Sequence, residues 1–154
     1  MQRIALGRRR SSHFRSSRIG SAVVEMAIVL PIFVLIVFGI VEFGRAMMVS
    51  QLLTNGARHG ARTGIVDGTT NADVTADVKS FLSQALGVPA ADIQVTIEVE
   101  PGTGNPDPND VLAAAQSKDI VKVKVQVGFD KVSYVTGNFL NGKMLEGYCV
   151  MRHE

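Results

Sequence analysis

Hydrophobic and polar positions sort this chain into three regimes. From Ala22 to Val41 nearly every residue is small or apolar, and one charge, Glu25, interrupts the run. A helix of about twenty residues rises ~30 Å, the hydrocarbon thickness of a bilayer, so this run predicts a transmembrane helix. Its start is expected near Ser21. Loosely helical apolar spacing at Phe43, Met47, Leu52 and Ala57 carries it past the membrane. Pro31 lies inside, removes the hydrogen bond to the Ala27 carbonyl and predicts a bend there.

The second regime is a shorter helical pattern. After the turn "VDGTTN", residues Val74, Val78, Phe81, Leu82 and Ala85 form one apolar stripe in a helix expected from Ala72 to Leu86. Thr70 or Asn71 can cap it, and Gly87 and Pro89 end it. The third regime alternates. Ile93, Val95, Ile97 and Val99 lie on one face of "DIQVTIEVE", and Val121, Val123, Val125 and Val127 on one face of "DIVKVKVQV". A further strand is expected from Met144 to Met151, and "PGTGNPDPND" is a loop. The predicted class is α+β: a long transmembrane helix continuing outside the membrane, a second short helix, and about three antiparallel strands covered by the helices.

The stretch "NGARHGARTG" spaces Gly56, Gly60 and Gly64 four apart, on one helical face. Such a bare face lets a neighbour pack closely. The competing account is a weak helix end, since glycine costs about 1 kcal/mol against alanine. The three-fold register favours packing.

Charge adds a direction. Six arginines and no acid precede Ser21, whereas the residues after Glu42 are slightly acidic. A short arginine-rich flank stays cytoplasmic, which sends the body across the membrane. The expected organisation is a polar leader over 1–20, a transmembrane helix over 21–42 and an extracytoplasmic domain over 43–154. A basic arm can also bind nucleic acid, but this one abuts an apolar run and no nucleic-acid fold follows it. Cys149, the one cysteine, has no intrachain partner and reads as a strand residue.

Little in the chain points to catalysis. His13, His59 and His153 are far apart without metal-ligand spacing, and no G-x-S-x-G elbow or phosphate-cradling glycine loop is present. Asn105, Asp107 and Asn109 alternate like the start of a calcium loop. Asp110 then replaces the turn glycine and Gln116 the bidentate glutamate, so a solvated loop is expected. Glu98 and Glu100 share a strand face, ordinarily its wet side. The expectation is a non-enzyme without cofactor or metal.

Glu25 asks for an explanation. A carboxylate at mid-membrane costs around 2.5–3.5 kcal/mol, less near the edge, where the helix dipole also favours an anion. If the chain is cut after Gly20, Ser21 gains an α-amine at i relative to Glu25 at i+4. Amine and carboxylate then neutralise each other, within one helix or between neighbours. Glycine before the cut suits a protease that binds extended, unhindered backbone.

The segment "GSAVVEMAIVLPIFVLIVFGIVEFGRAM" resembles the N-terminal segment of the TadE-like family, pseudopilins of tight-adherence (Tad, Flp) pilus systems. Gly20, Glu25, Pro31 and the exit "VEFGR" carry the likeness, with "GARHGARTG" and the terminal "GYCVMRHE" in support. Met26 departs from the aromatic that pilin subunits of these systems usually carry after the glutamate. The resemblance implies a pilin-like fold and a single-pass protein of the bacterial inner membrane, cut after Gly20 by a prepilin-type peptidase. It implies as partners the lipid bilayer, that peptidase, other pilin-like subunits and Tad inner-membrane assembly proteins, with homo- or hetero-oligomers formed through the N-terminal helix. The alternative is an uncleaved, membrane-tethered scaffold or sensor. A secreted domain with a removable signal peptide fits less well, because the run is long and "GRA" carries an arginine within its small-x-small pattern.

Overall fold

The computed structural model describes residues 16–133, 140 and 142–153; the leader up to residue 15, with His13 and five of its arginines, lies outside the described residues. The chain divides into two units, residues 1–37 and 38–154.

Helix α1 spans Ser16–Gly64 and continues through Pro31. It begins five residues before the expected start, so the Gly20–Ser21 bond lies within helical backbone. In the first unit residues 20–37 are exposed without interruption up to the boundary. In the second unit α1 turns one stripe inward, formed by Ala46, Val49, Leu53, Ala57 and Ala61. Their three- and four-residue spacing holds one face of a 3.6-residue helix against the core. Phe43 and Met47, whose spacing carried the helix pattern past the membrane, are exposed.

Helix α2, Asn71–Leu86, starts at a capping box. The Thr70 hydroxyl accepts from the Asp73 N–H, and the Asp73 carboxylate accepts from the Thr70 N–H. Gly87, at φ 70°, closes the other end and donates its N–H to Ser83. The buried stripe is Val74, Val78, Leu82 and Leu86. Phe81 and Ala85 sit on the flank, where Phe81 tilts against His59 of α1 with ring centroids 5.7 Å apart.

Strands β1 (Ile93–Glu100), β2 (Ile120–Gly128) and β3 (Met144–Arg152) form an antiparallel sheet in that order. A single helical turn, α3 (Phe129–Val132), follows β2. Register pairs Val99 with Val121, Ile97 with Val123, Val95 with Val125 and Ile93 with Val127. On the other side of β2, Val121, Val123, Val125 and Val127 face Met151, Cys149, Gly147 and Leu145. All these residues share one sheet face, because register fixes which alternate positions lie together. Helices α1 and α2 cover it, giving an α+β fold. The opposite face is wet: Lys122 pairs with Glu100, and Lys124 with Glu146 at 2.9 Å. Glu98 stands opposite Lys122 in the register of that face.

Candidate functional site

The residues singled out by sequence fall into two groups. Gly20, Ser21, Glu25 and Pro31 lie on the exposed first part of α1. Its Gly20–Gly64 stretch is long and apolar enough to cross a membrane. Glu25 is four residues beyond Ser21 on the same helix, which puts the two on one side about 6 Å apart along the axis.

The second group is Gly56, Gly60 and Gly64, all buried. A Cβ at Gly56 would meet Leu82 Cδ1 at 2.8 Å, and one at Gly60 would meet Val78 Cγ2 at 2.6 Å and Val123 Cγ1 at 3.3 Å. At Gly64 the nearest atom is Leu112 Cδ1 at 3.4 Å, an ordinary contact. The stripe therefore receives side chains of α2, β2 and the β1–β2 loop. Close approach between backbones occurs elsewhere, at Gly147 of β3. A Cβ there would overlap the peptide joining Leu53 to Thr54, whose Cα lies 2.8 Å from that position.

Three contributors were not singled out by sequence reasoning. Gly147 had a signal: an isolated glycine within an alternating strand marks a close backbone neighbour. Glu42 and Arg45 of "VEFGR" had none, because charges after an apolar run look like a helix leaving lipid for water. Instead they point into the body, 3% and 9% exposed. The Arg45 Nε donates to the Val132 carbonyl at 3.0 Å, and its Nη1 lies 3.7 Å from the Met48 sulfur. Among the described residues Glu42 Oε1 is buried without a hydrogen-bond partner, a costly state for a carboxylate oxygen.

The β1–β2 loop is organised by Asp119, which is fully buried. Its Oδ1 accepts from the Gly102 N–H at 2.7 Å and the Asn105 amide at 2.6 Å, and its Oδ2 from the Gln116 N–H at 2.8 Å. Burial raises the pKa of this carboxyl. The three donors and the neighbouring His153 outweigh burial and hold it below its ordinary value. Asn105 is thus turned toward Asp119, while Asp107 Oδ1 accepts from the Asn109 N–H in a local turn. Among the described residues no three His, Cys, Asp or Glu side chains gather as metal ligands. Among the described residues are two surface grooves. One, of about 380 Å³, is lined by Ser50, Gln51, Thr54, Asn55 and Arg58, and one of about 160 Å³ lies on the charged sheet face beside Lys122 and Tyr148. Neither joins a nucleophile to a base.

The site is thus a helix: apolar and exposed first, then packed through small residues. No curated protein and no solved structure matches the chain. The family model of TadE-like protein matches residues 20–62, which cover the apolar run, Glu25, Pro31, the "VEFGR" exit and two of the three glycines. Over that segment the chain is similar to TadE-like proteins.

Proposed function

We propose that the protein is a membrane-anchored, pseudopilin-like structural component that assists assembly of a Tad/Flp-type pilus and performs no catalysis of its own. The observation that carries this reading is the coincidence of the TadE-like match over residues 20–62 with an apolar helix able to span a bilayer. The arginine-rich flank places the N-terminus in the cytoplasm and the body on the far side of the bacterial inner membrane. A prepilin-type peptidase cuts after Gly20. The freed Ser21 amine then pairs with Glu25, in the same helix or in that of a neighbouring subunit, which offsets the cost of placing a carboxylate at the membrane edge. Its partners are that peptidase, other pilin-like subunits and the inner-membrane assembly proteins.

A second reading, an uncleaved tethered scaffold or sensor, draws support from the helical backbone running across Gly20–Ser21 from Ser16. A protease that binds extended chain has to unwind that first turn. Intact mass and N-terminal sequencing of protein extracted from native membranes, beside a Glu25→Ala form, separate the two. A chain starting at Ser21 is the expected result. Retention of residues 1–20 overturns processing and leaves the tethered reading.

A further inference from the structure

The exposed side of α1 stays apolar beyond Glu42, the last residue of the membrane span expected from the sequence. Phe43, Met47 and Met48 are 55%, 66% and 53% exposed, and the first polar positions after them are Ser50 and Gln51. The charges within this stretch, Glu42 and Arg45, are turned into the body, where Arg45 holds the Val132 carbonyl. Lipid around the helix would therefore meet an uncharged surface from Met26, just after the exposed Glu25, to Met48, roughly 33 Å at 1.5 Å per residue. The hydrocarbon core is ~30 Å thick, and the bilayer with its headgroup layers ~40–45 Å. The uncharged surface outruns the hydrocarbon core, so that, counted from Glu25 at one edge, Met47 and Met48 fall in the opposite headgroup layer.

The body presents compatible groups at the same end. Val132 belongs to α3, which follows Gly128, and Gly128 pairs with Met144 at the start of β3. Met144 is 48% exposed, Lys143 is exposed beside it, and Lys131 is exposed and pairs with Asp92 at 3.6 Å, with Asp130 the exposed acid of that turn. Lysines of this kind lay their stems on apolar surface and reach phosphate with the ammonium.

We infer that the headgroup layer on the body's side of the membrane reaches Met47 and Met48, so that the end of the body carrying Val132, Lys143 and Met144 rests in lipid headgroups. The inference depends on the membrane-anchored reading above and adds to it a depth and a second contact surface.

The chain contains no tryptophan, so single-tryptophan variants report depth directly. Full-length Phe33→Trp, Met47→Trp and Asn55→Trp proteins are reconstituted into phosphatidylcholine–phosphatidylglycerol vesicles. These vesicles carry bromine either near the headgroup or near the acyl-chain end. The expected result is loss of Phe33→Trp fluorescence to deep bromines and of Met47→Trp fluorescence to shallow ones, with Asn55→Trp unquenched. If Phe33→Trp is quenched while Met47→Trp emits as in water, the headgroup contact is overturned and the anchor stands. A blue-shifted but unquenched Met47→Trp means that another polypeptide covers the surface, which also overturns it. An unquenched Phe33→Trp removes the anchor itself.

Discussion

Asp119 concentrates the chemistry of the β1–β2 loop in one carboxylate. Its oxygens take up donors from Gly102, Asn105 and Gln116, and strand pairing continues past it through the His153 N–H, which donates to the Asp119 carbonyl at 2.8 Å. The loop thereby satisfies backbone groups that burial would otherwise leave unpaired. Because the folded pKa lies below the unfolded one, the carboxylate's contribution to stability is fully present above the unfolded value of ~4. It is lost as pH falls through the folded value. Asp119→Asn should lower the melting temperature by several degrees near neutral pH, because an amide cannot accept at both positions. The gap from the native protein should close below about pH 4. Thermal unfolding of both proteins in mild detergent, followed by circular dichroism across that range, checks the sign. A gap independent of pH would remove the carboxylate's charge from the account.

At the scale of elements, α1 and β3 approach each other backbone to backbone. The backbone at Leu53 and Thr54 lies directly on Gly147. Gly147→Ala has no side chain to displace, only a helix, so a loss of about 1–3 kcal/mol or more is expected. Gly56→Ala meets one buried side chain, Leu82, at Cδ1 and Cγ, which must shift rather than a backbone, and alanine returns about 1 kcal/mol of helix propensity. That variant should lose less than Gly147→Ala. A side-by-side melt of the two substitutions tests this ordering, and equal losses would contradict it. The glycines of α1 therefore differ in what they permit, although they look equivalent in "GARHGARTG".

For the whole second unit, α1 is one layer of the core as well as the approach to the membrane. Ala46, Val49, Leu53, Ala57 and Ala61 are buried with the valines of β2. The strands' apolar face has no other cover of that length, and an uncovered sheet face does not hold a domain together. A chain beginning at Phe43 should keep cooperative unfolding in mild detergent. One beginning at Ile65 should show neither a cooperative transition nor native circular dichroism. Retention of both by the shorter chain would mean that α1 is dispensable to the body.

What the sequence determined by itself is whatever repeats along the chain. An apolar run of bilayer length, a 3.6-residue stripe in α2 and a two-residue alternation in each strand are local patterns, and they specify the α+β outline and the register of faces. The TadE-like likeness was legible for the same reason, since Gly20, Glu25, Pro31 and "VEFGR" lie within one continuous segment. Tertiary structure decided what depends on a distant neighbour. Which side of α1 faces the core was ambiguous at Phe43 and Met47, because an apolar residue suits either lipid or a core. The inward turn of Glu42 and Arg45 rests on a carbonyl at Val132, and the need for glycine at 147 on a helix nearly a hundred residues upstream. Periodicity records the angle between neighbours on one element, and only packing between elements selects which face each one buries.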